Sequence, residues 1–421
     1  MPLAHPADGI SVEELQLAAR NRGMPLEALR LDVTPVGLHY LLVHFDIPAV
    51  DESGWKLEVG GSVASPLHLG LADLRERPTR TMAVTLECAG NGRARLEPRP
   101  MSQPWLVEAV ATAEWTGTPL CGVVEDAGVL PEAVELVFTG ADRGVEGGVE
   151  HDFQRSLPIS EALRDEVLLA YEMNGRPLEP QHGFPLRLLV PGWYGMASVK
   201  WLTRIEAVTE PFMGHQQARA YRYQAFEDDP GEPVTTIRVR ALMIPPGIPD
   251  FRTRRRHLDP GPVTLFGRAW GGEGEVTAVE VGIDGEWSPA SLAGPVGPWA
   301  WRGWTFDWEA APGEHVLACR ATDASGNIQP LEQYWNLQGM GNNAVQEVFV
   351  SVRAGSNEQN GARVDQRVWS RCASRIAASG DRHTARAVDP SLAHASRGLA
   401  HCSPGCPDHL MTSTLTPPRE W

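Results

Sequence analysis

No apolar run in the sequence approaches the length of a bilayer span, so no membrane-crossing helix is expected. Positive charge is also scarce. Lys and Arg number 37 against 53 Asp and Glu, for a net charge of -16. That balance argues against general nucleic-acid binding and against adhesion to anionic membranes. Cysteine is sparse and scattered. Cys88, Cys121 and Cys319 lie in the body of the chain and Cys372, Cys402 and Cys406 near its end, which is not a disulfide framework. The opening MPLAHPADGISVEELQL has no basic n-region, no apolar h-region and no twin-arginine pair. A cytoplasmic protein is therefore expected. No internal repeat is found.

At 421 residues the chain has room for two domains and some extra. Residues 1–30 read as a lead-in with one amphipathic helix, Val12–Arg20. The body, residues 31–229, reads as mixed α+β. Strands are expected at Leu38–Phe45, Trp55–Val59, Thr81–Leu86, Val134–Gly140, Val167–Glu172, Leu186–Val190 and Val199–Glu206. Helices are expected at Leu69–Arg75 and Leu120–Ala127, with a loop-helix at Ser156–Asp165. The run Asp228–Pro233 marks a boundary. Beyond it, within residues 234–353, strand-like runs at Thr235–Leu242, Val263–Trp270, Val276–Ile283, Trp301–Trp308, His315–Thr322 and Gln346–Val352 alternate with Gly, Pro and Asp turns. That is the pattern of an immunoglobulin-like sandwich. Residues 354–421, rich in Ser, Ala, Arg and Gly, lack hydrophobic periodicity and are expected to be disordered. His401, Cys402, Cys406 and His409 could ligate zinc, but their spacing is not that of a finger.

The chemistry gathers around Thr81–Arg95, TMAVTLECAGNGRAR. An apolar strand ends at Glu87-Cys88, and Ala89-Gly90-Asn91-Gly92 then forces a turn that brings backbone close to a bound group. Arg93 and Arg95 follow. A thiol under two guanidinium groups favours the thiolate, the form that ligates metals or attacks electrophiles. The bland alternative is a half-buried structural cysteine.

Cys88-Ala89-Gly90-Asn91-Gly92-Arg93 resembles the cysteine loop of the sulfite oxidase family of molybdenum-cofactor enzymes. Further stretches follow the same family in the same order: LLAYEMNG at Leu168–Gly175, QHGFPLRLLV at Gln181–Val190, Pro191-Gly192, and SVKWL at Ser198–Leu202. So do Trp299-Ala300-Trp301-Arg302 and NIQPLEQYWNLQGMGNN at Asn327–Asn343. The resemblance covers about residues 31–353 and implies an α+β molybdopterin-binding domain followed by an immunoglobulin-like dimerisation domain. Residues 1–30 are too few for the haem domain of the animal enzymes, so a haem-free, bacterial or plant-like form is expected.

The resemblance implies a Mo-molybdopterin cofactor with Cys88 as the one protein ligand to molybdenum. A thiolate suits that metal, and the cofactor carries the chemistry of moving an oxygen atom from water to substrate. It implies cofactor contacts from His182, Arg187 and Lys200, from Asp142, and from Tyr40, Leu41, Leu42, Val43 and His44, with His44 the best side-chain candidate. Ser198 and Val199 would offer backbone groups. Taken singly, His182 and Arg187 could be a capped turn and a surface ion pair, and Lys200 a solvated strand residue. Arg93 and Arg302 match an anion clamp, Trp105 an aromatic wall, and Tyr221 a tyrosine near the metal; Tyr221 could otherwise be a packing residue.

Two positions depart from the family. Its Arg-Asn-His reads Leu42-Val43-His44, and the acid before the tyrosine is Ala220. Leucine cannot pair an anionic oxygen, and one lost charged hydrogen bond of about 1.5–3 kcal/mol costs one to two orders of magnitude in binding. The reading is a cytoplasmic sulfite oxidase-type enzyme, a homodimer through its sandwich. It would act on sulfite or a related anionic or sulfur-containing substrate and pass electrons to cytochrome c, another carrier or O2. Reduction of a sulfoxide, an N-oxide or nitrate on the same fold is one alternative. A non-catalytic immunoglobulin-like binding module is another.

Overall fold

A computed structural model of the chain describes Leu3–Ala4 and residues 9–354. The expected disordered tail, with His401, Cys402, Cys406 and His409, lies outside the described residues. Helix α1 (Val12–Arg20) is closed by a capping box in which Ser11 and Glu14 satisfy each other's backbone N–H.

The first half contributes β1 (Leu57–Gly61), β2 (Leu67–Leu69), α2 (Leu71–Arg75), β3 (Arg80–Glu87), β4 (Val110–Pro119), α3 (Leu120–Ala127), β5 (Glu135–Glu146), β6 (Val149–Pro158), β7 (Leu168–Met173), β8 (Arg187–Leu189) and β9 (Leu202–Val208). They form two sheets. One runs β3–β4–β7, with β8 also paired to β7; the other runs β2–β1–β9–β5–β6. Strands β3, β4 and β7 carry Val84, Leu86, Ala111, Ala113, Trp115, Leu168 and Ala170 into one buried core. Burial on both faces explains why β3 and β7 read as apolar runs rather than alternations, whereas β4, VATAEWTGTP, was not expected as a strand.

The second half contributes β10 (Arg240–Met243), β11 (Gly261–Trp270), β12 (Val276–Ile283), β13 (Arg302–Ala310), β14 (Gly313–Asp323) and β15 (Gln346–Val352). Strands β10–β11–β13 form one sheet, and β15–β14–β12 the centre of the other. Their inner faces enclose a second core that includes Leu265, Val279, Val281, Trp304, Leu317, Cys319 and Val350. The sandwich also feeds the first core through Leu242, Ile244, Trp270 and Trp301. The two halves are thus packed as one body rather than strung as beads.

Several expectations are corrected. Leu38–Phe45 is not a strand. It starts in a tight turn, with Leu38 and His39 N–H donating back to Pro35 and Val36 C=O, makes one short bridge, Leu41 to Arg22, and sends Val43 N–H to Asn21 Oδ1 and Leu42 C=O to Lys200 Nζ. A segment whose polar backbone is met by side chains has no need of a ladder. The run Val199–Glu206 pairs only from Leu202, because Trp201 takes a positive φ of 48°. The run Thr235–Leu242 makes a single bridge, Thr236 to Trp193, and becomes a strand only over Arg240–Met243. Strand β6, VEHDFQRSLP, is longer than anything its polar sequence suggests; it is held by the hairpin to β5. The expected loop-helix at Ser156–Asp165 shrinks to Ile159–Ala162.

Candidate functional site

Strand β3 ends at Glu87, and the chain turns at Cys88. The Cys88 N–H still donates to Ala109 C=O, and Cys88 C=O accepts from Asn91 N–H, so the thiol is fixed at the lip of the sheet. Gly92 sits at φ +90°, where an added Cβ would come within 3.0 Å of the Asn342 carbonyl oxygen. Only glycine fits this left-handed position so close to another backbone. The sandwich side completes the loop. Gly341 N–H donates to Ala89 C=O, and Asn342 Nδ2 donates to Gly92 C=O. Glu87 is the hub: its carboxylate accepts from Asn91 Nδ2 at 2.9 Å, Arg240 Nη1 at 2.8 Å and Trp270 Nε1 at 2.8 Å.

Cys88 opens onto a cleft of about 630 Å³, mouth included. Tyr40, Leu41, Leu42, His44, Asp142, His182, Arg187, Ser198, Lys200 and Tyr221 line it. Six elements bring them together: the irregular segment 39–44, the β5 bulge at Asp142, the turn at His182, the start of β8, the 198–200 loop, and the end of the turn 216–220 at Tyr221. Gly140 serves the bulge, since a Cβ there would press within 2.6 Å of Asp142 Oδ1 and 2.7 Å of the Lys200 carbonyl oxygen.

Four sequence candidates are placed otherwise. Arg302 is not in the cleft; its guanidinium donates to the Ala293 and Val276 carbonyls in the sandwich. Val43 is buried away from it, its N–H held by Asn21. Val199 is buried, its C=O accepting from Leu188 N–H and its N–H donating to Ala197 C=O, so it offers no free backbone group. Arg95 does not flank the thiol electrostatically; its charged neighbours are Arg240, Glu108 and Glu347. Arg93 and Trp105 neighbour the Cys88 thiol but are not among the residues that line the cleft. Burial pushes the Cys88 thiol up, opposed by the Arg93 charge, the Gly90 N–H and the Trp105 indole. The expected thiolate-favouring environment is therefore overridden by desolvation in the protein alone.

Sequence reasoning missed His39, Gln181 and Phe153 in the cleft, and Arg155 beside it. His39 was hidden because it precedes the Tyr40–His44 stretch that the resemblance implies lines the cofactor. Arg155 was hidden in the polar run of β6. It is 1% exposed, and its guanidinium lies 5.4 Å from the centre of the Tyr221 ring.

The cleft is short of partners. Buried His39 Nε2, His182 Nε2 and Asp142 Oδ1 have none. The cations spend their donors on carbonyls rather than carboxylates: Arg187 on His182 and Ser198, Lys200 on Leu42 and Gln181, Arg93 on Gln338 and Gln103. Burial pushes His39 down to about 4, His44 to about 3 and His182 to about 2, so all three are neutral near pH 7. Burial, then the neighbouring Arg187 charge, lowers Lys200, while burial raises Asp142 against the pull of Lys200. Two buried cations facing the single acid Asp142, beside unpaired polar atoms, are costly unless a polar anionic group fills the cleft. A phosphate-bearing pterin with donor and acceptor edges fits that description, and the Cys88 thiol suits a soft metal.

Comparison with known proteins agrees with this chemistry. Residues 44–216 match the oxidoreductase molybdopterin binding domain, and residues 250–353 the Mo-co oxidoreductase dimerisation domain. Human mitochondrial sulfite oxidase is 33% identical over 377 residues, covering 83% of this chain and 67% of that protein. Chicken (Gallus gallus) sulfite oxidase is 35% identical over 329 residues, covering 73% and 71%. Nitrate reductase [NADH] of Solanum lycopersicum is 31% identical over 351 residues, covering 76% of this chain but 38% of that protein. The crystal structure of the sulfane dehydrogenase SoxCD from Paracoccus pantotrophus superposes with a TM-score of 0.68 at 25% identity, covering 84% of this chain and 94% of that one. The cysteine-floored cleft, the two matched domains and the sequence relatives agree: the chain belongs to the sulfite oxidase family of molybdopterin-dependent oxidoreductases.

Proposed function

We propose that this enzyme catalyses oxygen-atom transfer at a Mo-molybdopterin cofactor, with sulfite or a related anionic sulfur compound as substrate. The observation that carries the reading is the Cys88 thiol opening onto a cleft of unpaired cations and unpartnered polar atoms. When bound, the cofactor supplies two-electron redox chemistry and the exchange of an oxygen atom with water. The chain's own residues do the rest. Cys88 would be the single protein ligand. Arg187 and Lys200, pinned by carbonyls, would meet the cofactor's phosphate and polar edge, with His39, His182 and Asp142 completing its hydrogen bonds.

On the substrate side Tyr221 stands 2.6 Å from His44 Nε2. Burial keeps the phenol protonated and the imidazole neutral. Tyr221 Oη–H therefore donates to His44 Nε2, which fixes the hydroxyl and leaves its lone pairs for a proton on water or substrate. Arg93 contributes buried positive charge beside the thiol. Residues 31–229 would form the cofactor-binding part and 234–353 the dimerisation part of a homodimer. An external acceptor, cytochrome c, another carrier or O2, would take the electrons. A cytoplasmic setting accompanies this reading.

The reductive alternative rests on Leu42, which puts an apolar side chain where an anion clamp would be and lines the cleft. Molybdenum quantification with a substrate panel separates the readings: sulfite with ferricyanide against sulfoxide, N-oxide or nitrate with reduced viologen. Full metal loading without sulfite turnover overturns the sulfite assignment. Absence of molybdenum after expression in a cofactor-competent host overturns enzyme function altogether and leaves a binding module. Cys88→Ser is expected to abolish turnover.

A further inference from the structure

A second group of ligating side chains lies outside the cleft, at the hairpin of β5 and β6. Glu146, His151 and His215 each present one donor atom, and these atoms all lie within 4.8 Å of one another. Strand register builds half of the group. Glu146 pairs with Val149 and Gly144 with His151 across the Gly147-Gly148 turn, so Glu146 and His151 are diagonal neighbours on one face. His215 arrives from the segment that leads to Tyr221. Its ring stacks on His151 with centroids 4.5 Å apart and rests against Gly147, where a Cβ would lie 3.4 Å from the ring.

The protonation pattern suits a cation. His151 Nδ1 lies 3.0 Å from the Val149 carbonyl oxygen. That bond requires Nδ1–H and leaves the lone pair on Nε2, the tautomer that ligates metals. At the centre sits Gln216, 1% exposed, whose Nε2 donates to Glu146 Oε2 at 2.6 Å and to His151 Nε2 at 3.0 Å. Its Oε1 is buried without any partner. Amide nitrogen and oxygen exchange places by rotation about one bond. The rotated amide would point its oxygen at two other acceptors, an arrangement that only a cation between them makes favourable.

We propose that Glu146, His151, His215 and the Gln216 side-chain oxygen bind a divalent late first-row cation of the Zn2+ class. Two imidazoles, a carboxylate and an amide oxygen suit such ions and are a poor set for Ca2+ or Mg2+. The position gives the ion a structural consequence. Gln216 opens the π-helical turn Gln216–Ala220 immediately before Tyr221, and its carbonyl accepts from Arg155. His151 also meets the Phe45 ring at 5.5 Å, next to His44. A bound ion therefore clamps the segments carrying both members of the Tyr221–His44 pair.

The test is titration of the full-length, molybdenum-loaded protein, treated with chelator, with Co2+. One Co2+ per chain is expected, with the visible d–d bands of a low-coordinate ion. His151→Ala and His215→Ala should each weaken binding by more than the roughly 10–100-fold that loss of an outer-sphere partner costs. Glu146→Gln, which keeps side-chain shape, should weaken it too, and Zn2+ should compete. Unchanged molybdenum content in these variants reports an intact fold. No Co2+ uptake by the parent protein, or uptake undiminished in Glu146→Gln and in the two histidine variants, overturns the proposal.

Discussion

Two effects oppose each other at Cys88: burial raises the thiol and the Arg93 guanidinium lowers it. The sequence shows the second and conceals the first, since proximity in the chain reveals charges but not desolvation. Leu42 is the converse case, because its identity alone predicts a weakened anion clamp and the structure adds that it lines the cleft. Leu42→Arg is expected to raise kcat/KM for sulfite tenfold or more, measured with ferricyanide; an unchanged value would show that the clamp is built elsewhere. The buried histidines predict acid sensitivity. Their folded-state values lie below the ordinary one of about 6.5, so they contribute stability above that pH which is lost as pH falls. His44, held at about 3, should alone cost the cofactor-free chain about 2 kcal/mol on going from pH 6.5 to 5. Asp142 contributes with the opposite sign, because burial raises it. Melting of cofactor-free protein between pH 7 and 5 checks this, and His44→Asn should flatten the decline. Lysine usage points the same way as the electrostatics. The chain has two lysines, Lys56 and Lys200, and Lys200 is the one in the cleft.

At the scale of elements, the cysteine loop is an assembled part rather than an autonomous turn. Strand β3 delivers it, Gly92 bends it, and residues 338–342 of the sandwich side hold it through Arg93, Ala89 and Gly92. The Glu87–Arg240 pair beneath it is 2% exposed on both sides. Glu87→Gln leaves the Arg240 charge uncompensated and should cost about 3–5 kcal/mol, read from the denaturant midpoint, with molybdenum content falling in parallel. A stability loss within experimental error would remove Glu87 from its role as the hub. Elements with strong patterns, such as α1, α3 and β12, fall where periodicity puts them. Segment 39–44 does not, because its apolar residues and aromatics mimic a strand while its backbone is satisfied by Asn21 and Lys200.

For the whole molecule, the match of residues 250–353 to a Mo-co dimerisation domain makes the sandwich the dimer-forming part. Ile248, Phe251 and Phe349 are exposed at 61%, 87% and 49%, around adjoining strands at its edge. An apolar edge of this kind is expected to be covered by a second copy. Phe251→Asp should shift the protein from dimer to monomer in light scattering, with molybdenum content unchanged. A dimer that persists undiminished at low micromolar concentration would place the interface elsewhere.

The order of motifs from Cys88 to Asn343 determined the family, because several short stretches in one sequence order are a constraint no single loop provides. Apolar runs and turn residues determined most strands and the change of character near Asp228–Pro233. Tertiary structure decided which side chains meet. It removed Arg302, Val43 and Val199 from the cleft, added His39 and brought Arg155 against Tyr221. It also joined Glu146, His151, His215 and Gln216, whose proximity depends on a hairpin register and on a distant segment packed against it. The physical reason is one throughout: burial, and the hydrogen bonds that burial demands, are properties of the packed chain and not of any window along it.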